Sequence, residues 1–202
     1  MKDLPIGMQD FKQIITGGYV YVDKTQYLYE LLKHGKNYFM SRPRRFGKTL
    51  TCSTLCYLFK GEKELFKDTW IYDQWDFKPY PVISISMAEI NAESPETVRE
   101  TLLATLIDIY KAYNLTPTTA DYKTLFIRLI NELSTPGEVV VLIDEYDRPM
   151  LEHINEPEIA RAIRTILREF YLVLKTSEPC IKFTLLTGLT KITKAGVFST
   201  LN

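Results

Sequence analysis

The sequence contains little of what a disulfide framework, a zinc site or a membrane anchor requires. Only three of its 202 residues are cysteines and two are histidines. Cys52 and Cys56 lie one helical turn apart with no histidine near them, so we expect small core residues in a reducing, cytoplasmic compartment. His34 and His153 are too scattered to support a Ser-His-Asp arrangement. No run of about twenty apolar residues occurs, so we expect no membrane span.

An excess of charge of either sign is also missing. The 25 Lys and Arg residues are balanced by 25 Asp and Glu residues. The protein as a whole therefore lacks the field that attracts nucleic acid or an anionic membrane, and any basic site must be local. Hydrophobic residues make up 46% of the chain, which is ample for one packed domain.

The densest basic segment, Arg42–Thr49, is similar to a phosphate-binding loop. The full pattern is Gly, four residues, then Gly-Lys-Ser/Thr. Gly47–Thr49 is intact, whereas Arg42 stands where the first glycine would be. An apolar run, Tyr38–Met40, precedes the loop, and a helical pattern of leucines and Phe59 follows it. This order predicts the strand, loop and helix that the motif needs.

Each part of this loop has a chemical role toward a nucleotide. A helix N-terminus attracts phosphate through unpaired N–H groups and its dipole. Lys48 can reach the outer phosphates, and the Thr49 hydroxyl can bind Mg²⁺. Arg42 cannot adopt positive φ cheaply and Pro43 supplies no N–H, so we expect the loop to enter differently from a full P-loop. The alternative is a basic surface turn before a helix.

A second signal is an acidic pair after a β-branched run. Val139–Ile143 is typical of a strand buried on both faces of a parallel sheet. Asp144 would hold Mg²⁺ and Glu145 would activate the attacking water. The alternative is a buried strand that ends in a solvated acidic turn.

The remaining pattern alternates strands and helices. We predict strands at Tyr19–Val22, Tyr38–Ser41, Pro81–Met87, Val139–Ile143 and Ile181–Leu186. We predict helices from Asp23 to Lys33, Lys48 to Phe59, Ser94 to Tyr113, Thr119 to Leu133, and from an Asn155–Glu158 capping box to the residues before Pro179. The aromatic residues 62–79 form either a loop anchored by its rings or, less in keeping with its few cations, a stacking surface for nucleic acid. The pattern indicates an α/β three-layer domain with a mainly parallel sheet, whose ligand edge holds the loop, the acidic pair and Thr187.

The chain resembles the AAA-ATPase-like family, a predicted branch of the P-loop ATPases. The segments that carry the resemblance extend over nearly the whole chain and are Leu4–Gly7, Tyr21–Thr25, Ser41–Thr49, Leu142–Asp147 and Leu186–Gly188. The resemblance implies a P-loop fold of the AAA or RecA type that uses ATP and Mg²⁺. It also implies that the change at Arg42 is a trait of the family.

The resemblance also implies residue roles. Lys48 and Thr49 are similar to a Walker A pair, Asp144 and Glu145 to a Walker B pair, and Thr187, or less favourably Thr190, to a polar sensor near the γ-phosphate. Nucleotide contacts are expected from the loop residues Arg44, Arg45, Phe46, Gly47, Lys48, Thr49 and Leu50, and from Asp23 beside the adenine.

Family members usually continue into a helical lid and often a C-terminal domain resembling restriction-type nucleases. We can assign neither a lid nor a fifth core strand, so we expect residues 38–202 to be an incomplete ATPase core on which residues 1–37 pack. Contact with DNA would then belong to the absent domain, and a homo-oligomer is compatible with the family.

The leading functional hypothesis is Mg²⁺-dependent ATP binding and hydrolysis that drives a conformational switch, with Arg44 or Arg45 adding transition-state charge. Arg148 would pair with Asp147 or contact a neighbouring subunit. For each of these three arginines taken alone, the favoured alternative is a surface salt bridge. The alternative is a nucleotide-gated binding module, for DNA or a protein partner, with little turnover. A nucleic-acid binder that uses the basic loop and a small-molecule kinase rank lower.

Overall fold

The computed structural model describes residues 2–134 and 138–190. Its helices are α1 (Phe11–Thr16), α2 (Thr25–His34), α3 (Lys48–Phe59), α4 (Pro95–Ala112), α5 (Tyr122–Leu133), α6 (Arg148–Leu151) and α7 (Pro157–Thr176). Its strands are β1 (Asn37–Ser41), β2 (Val82–Ser86), β3 (Val139–Asp144) and β4 (Ile181–Gly188). Short 3₁₀ helices cover Lys63–Phe66, Trp70–Asp73, Met87–Glu89 and Glu178–Cys180.

The strands form one parallel four-stranded sheet in the order β1-β4-β3-β2. Parallel neighbours require crossover connections, and the helices provide them on both faces. The carboxyl ends of all the strands therefore lie at one edge, where Ser41 is paired with Gly188, and Ser86 with Asp144. The predicted α/β fold with a parallel sheet is confirmed.

The alternation of side chains along the strands sorts the core into two layers. Val140 and Leu142 of β3 pack in the same apolar cluster as α1 and α3. Val141 and Ile143 point to the opposite face, into a cluster with α4, α5 and α7. Because strand side chains alternate with a period of two, Asp144 projects to the α3 side.

The N-terminal segment packs on α3. Asp10 caps α1 and also accepts hydrogen bonds from the hydroxyls of Ser53 and Tyr57, at 2.8 and 3.0 Å. Burial raises the pKa of this carboxyl, but these bonds and the one from the Gln13 N–H outweigh it and leave the pKa below its usual value. The predicted strand at Tyr19–Val22 is wrong, because this extended segment joins no sheet.

The aromatic residues 62–79 are anchored by their rings. Phe66 and Ile71 are completely buried, and Phe66 packs 4.7 Å from the ring of Phe11. Within the segment, Lys63–Phe66 and Trp70–Asp73 form two 3₁₀ helices. Its rings therefore serve the core, as the anchored-loop interpretation predicts.

Local capping shifts several predicted helix boundaries. The α5 helix begins at Tyr122 rather than Thr119, because Asp121 accepts the N–H of Thr124 at 2.8 Å. The predicted capping box at Asn155 does not form, and α7 begins at Pro157 with no side-chain cap. At α4 the predicted cap is correct, since Ser94 forms a capping box with Thr97.

The last strand extends to Gly188 and so includes Thr187. No helix within residues 2–134 and 138–190 is long and apolar enough to cross a bilayer.

Candidate nucleotide site

The loop between β1 and α3 turns at Arg45 and Gly47 and not at Arg42. Arg45 has φ 69° and Gly47 has φ 75°, whereas Arg42 has no positive φ. The Arg42 N–H instead donates to the Gly188 carbonyl at 3.2 Å, which continues the pairing of β1 with β4. A left-handed conformation costs a residue with a side chain about 1 kcal/mol, so the loop holds strain at Arg45.

The backbone of this loop presents a row of unused donors. The N–H groups of residues 45–50 donate to no backbone or side-chain acceptor in the part of the chain that the structure describes, and the first α-helical hydrogen bond runs from Thr51 to Gly47. No side chain caps α3. Unpaired N–H groups at a helix N-terminus form a ready site for an anion. We call this segment, residues 45–50, the amide cradle.

The Lys48 side chain folds back over the cradle. Only 6% of the residue is exposed, and its Nζ donates to the Pro43 carbonyl at 3.0 Å. An ammonium group has three donors, so two stay available for an anion bound at the loop. Lys48 thus has the reach that its predicted role toward phosphate requires.

The hydroxyl of Thr49 differs from those of the other threonines of α3. Thr51 donates to the Gly47 carbonyl and Thr54 to the Leu50 carbonyl, at 2.9 and 2.7 Å. The half-buried Thr49 makes no hydrogen bond with any residue in the described ranges. Its oxygen is therefore free to bind a cation or a phosphate.

The other basic side chains of the loop are exposed. Arg44 and Arg45 form no ion pair or hydrogen bond with the residues that the structure describes, and Phe46 is 64% exposed. Arg42 donates only to the neighbouring Ser41 carbonyl, at 3.1 Å. These guanidinium groups add positive charge at the cradle without a neutralising partner.

Asp144 and Thr187 form a buried pair at the ends of β3 and β4. Oδ1 of Asp144 accepts the Thr187 hydroxyl and the Glu145 N–H, the latter at 3.0 Å. Oδ2 accepts no hydrogen bond from the described residues, although only 8% of Asp144 is exposed. A buried carboxylate with one oxygen unused suits a metal ion or its water ligand.

Cys52 joins this pair to α3. Its thiol lies one turn after Lys48, is 6% exposed, and neighbours both Asp144 and Thr187. Burial raises the pKa of the thiol, and the charge of Asp144 raises it further. The basic start of α3 and the acidic end of β3 therefore lie at one edge and on one face of the sheet.

Glu145 follows β3 in a left-handed conformation, with φ 52°. Its carboxylate pairs with Arg148 at 3.1 Å, and Arg148 also pairs with Glu152 at 3.0 Å. The surface salt bridge favoured for Arg148 is confirmed, but its partners are Glu145 and Glu152 and not Asp147. Asp147 is buried and accepts hydrogen bonds from the segment that follows β4 instead.

Asp147 is a structural residue that the sequence did not single out. Its carboxylate accepts the N–H groups of Leu189 and Thr190 and the Thr190 hydroxyl, at 3.0, 2.8 and 2.7 Å. The Thr190 hydroxyl is bound to Asp147, whereas the Thr187 hydroxyl donates to Asp144. Several acidic residues follow β3, and nothing in the sequence distinguishes Asp147 as the one that holds the segment after β4.

Asp23 lies in a different set of contacts. Its two carboxylate oxygens accept the N–H groups of Thr25 and Trp70, at 2.8 and 2.7 Å. These bonds fix the start of α2 to the aromatic segment. The role of Asp23 beside an adenine stays a prediction.

The side-chain oxygens at this edge could serve as ligands of Mg²⁺ bound together with a nucleotide. Within residues 2–134 and 138–190 no group of three or more His, Cys, Asp or Glu side chains could hold a metal. Mg²⁺ typically takes one or two protein oxygens and completes its shell with water and phosphate. The unused oxygens of Thr49 and Asp144 fit that donor set.

Comparison with known proteins agrees with this geometry. The family model described as predicted AAA-ATPase matches residues 5–198. The chain is 40% identical over 205 residues to a protein of Azotobacter chroococcum mcd 1 described as an uncharacterized protein in the vnfD 5' region. The alignment covers 100% of this chain and 40% of that relative, so the chain spans less than half of the relative's length. The resemblance predicted from the sequence is confirmed: this chain belongs to the family of predicted AAA-ATPases.

Proposed function

We propose that the protein binds ATP with Mg²⁺ at the amide cradle and hydrolyses it. The observation that carries this proposal is the row of unpaired N–H groups at residues 45–50, beside a buried lysine and across from a buried carboxylate. A solvated basic turn would not need a buried lysine or a free, half-buried hydroxyl. A triphosphate would satisfy all of these groups together.

The residues divide the work of phosphoryl transfer. The cradle and Lys48 hold the phosphate oxygens, while Thr49 and Asp144 hold Mg²⁺, which supplies charge neutralisation. Thr187 fixes the orientation of Asp144 through its hydrogen bond. Arg44 and Arg45 are placed on the same loop and add positive charge. Transfer to water needs positioning more than covalent chemistry, and this set supplies positioning.

Glu145 orients and activates the attacking water in this proposal. It must first leave the ion pair with Arg148, which occupies one of its oxygens. The change from the paired to the unpaired state is the local part of the conformational switch. Asp147 takes part in the same switch, because its hydrogen bonds connect the turn after β3 to the segment after β4.

The second candidate is a nucleotide-gated binding module with little turnover. The Glu145–Arg148 ion pair favours it, because Arg148 occupies a carboxylate oxygen that would otherwise contact the attacking water. For the whole protein we also propose a cytoplasmic location, DNA or protein partners, and assembly into a homo-oligomer. The division into residues 1–37 and a core of residues 38–202 is likewise proposed.

The test measures MgATP binding by calorimetry and phosphate release on the same preparations. Lys48→Ala should weaken binding and abolish turnover, while Glu145→Gln should retain binding and lose turnover. Lys67→Ala, at an exposed residue outside the site, is the control and should behave as the parent protein. Binding without phosphate release in the parent protein would select the second candidate. Unchanged binding in Lys48→Ala would refute both.

A further inference from the structure

A surface on α7 combines an apolar groove with a row of cations, on residues outside the amide cradle. The groove encloses about 320 Å³. Its apolar lining includes Met150, Ile154 and Ala160, and the exposed Arg161 and Arg164 also line it. Ile154 is 72% exposed. We call this surface the α7 groove.

The cations continue along α7 beyond the groove. Arg161, Arg164, Arg168 and Lys175 are all exposed and follow one another at helical spacing, with the exposed Leu172 between the last two. Residues at such spacing share one face of a helix. The row extends over about 21 Å, from a rise of 1.5 Å per residue. We call it the α7 stripe.

Three of the four cations in the stripe have no acidic partner among the residues that the structure describes. Arg164, Arg168 and Lys175 make no ion pair or hydrogen bond with any residue in the described part of the chain. Arg161 has one weak ion pair, at 3.6 Å, with the largely exposed Glu158. Glu169 projects to the side of the stripe and accepts from the Tyr122 hydroxyl. In a chain with zero net charge, this local surplus is complementary to an acidic partner.

We infer that the α7 groove and stripe bind an acidic amphipathic helix of a partner protein. The apolar groove would take two or three aliphatic or aromatic side chains of that helix, and the stripe would pair with its carboxylates. A helix of about four turns matches the length of the stripe. Nucleic acid fits less well, because the groove residues include no aromatic ring on which a base could stack.

The position of the groove gives an occupant access to the turn after β3. Asp147 and Thr190 line it together with the residues named above. Asp147 holds the segment after β4 and lies two residues beyond Glu145. The binding inference itself does not depend on the proposed ATPase function, since none of the stripe residues belongs to the amide cradle.

The test uses fluorescence anisotropy with a labelled peptide of about 16 residues that carries leucine and phenylalanine on one helical face and glutamate on the other. We expect binding to the full chain that weakens about tenfold or more between low and high salt. Arg164→Glu and Arg168→Glu should each weaken it about fivefold or more. Ile154→Ser should weaken it without removing the salt dependence.

The control is Lys67→Glu, which makes the same charge change at an exposed residue far from α7 in sequence and should leave peptide affinity unchanged. Because the substituted side chains are exposed, circular dichroism should report an unaltered fold. Three results would overturn the inference: no binding of the acidic peptide, equal binding of a peptide with lysine in place of glutamate, or preferential binding of a DNA duplex through Arg164 and Arg168. The variants should bind MgATP with the affinity of the parent protein. A failure of the peptide-binding inference can therefore be distinguished from a failure of the proposed ATPase function.

Discussion

Arg148 is expected to restrain turnover by holding Glu145. The two side chains are 48% and 35% exposed in their ion pair, so the pair contributes about 0.2–1 kcal/mol and not the larger energy of a buried one. Since 1.36 kcal/mol corresponds to tenfold, Arg148→Ala should raise the fraction of unpaired Glu145, and with it kcat, by about 1.4- to 5-fold. The nucleotide affinity should not change, because the Arg148 side chain bonds to Glu145 and Glu152 and forms no hydrogen bond or ion pair with the described residues of the amide cradle.

Glu152 offers the opposite perturbation on the same guanidinium. It competes with Glu145 for Arg148 at 3.0 Å. Glu152→Gln should therefore strengthen the Glu145–Arg148 pair and lower kcat, within the same range of about 5-fold. Two substitutions that act on one ion pair with opposite signs separate this mechanism from general loss of structure.

Steady-state phosphate release at saturating MgATP measures both effects, with KM determined in parallel. Arg99→Ala is the matched control, since Arg99 forms an exposed i,i+3 pair with Glu96 on α4, and its removal should leave kcat unchanged. A lower kcat in Arg148→Ala, or the same direction of change in both variants, would refute the proposed restraint.

Three further predictions concern stability. Thr187→Val leaves the buried Asp144 carboxylate without its hydroxyl donor and should lower the free energy of unfolding by about 1.5–3 kcal/mol, measured by urea denaturation; a change near zero would show that this bond is dispensable. Gly47→Ala should cost about 1 kcal/mol, because of the φ of 75° and not for lack of space, and an unchanged midpoint would contradict this. Hydrogen bonds to the Ala92 carbonyl and then to Glu156 raise the pKa of His153 above 6.5. The protonated side chain therefore stabilises the fold fully below pH 6.5, and this stabilisation is lost as the pH rises through the folded-state pKa. His153→Gln should remove this part of the pH dependence of the free energy of unfolding.

Local signals in the sequence identify the residues of the candidate site. Lys48 and Thr49 follow a glycine at the start of a helix, and Asp144 follows a β-branched run that the structure buries completely. Both signals depend on neighbouring residues alone. The parallel sheet then brings them to one edge, as the alternation of strands and helices predicts.

What the sequence did not reveal depends on tertiary contacts. The turn at Arg45 could not be foreseen, since a positive φ at an arginine is rare. Tyr19–Val22 has the composition of a strand but finds no strand to pair with, since β-propensity depends on neighbouring strands and burial. The hydrogen bonds of Asp147 and the order of the strands involve residues far apart in the chain, which no local pattern reports.

The amide cradle is the central claim, and backbone amide NMR tests it most directly. Titration of the ¹⁵N-labelled protein with MgATPγS should shift the amide signals of residues 45–50 more than those of the rest of the chain, and Lys48→Ala should suppress these shifts. If the nucleotide binds while these amides keep their positions and signals elsewhere move, the phosphates do not occupy the start of α3 and the account is contradicted.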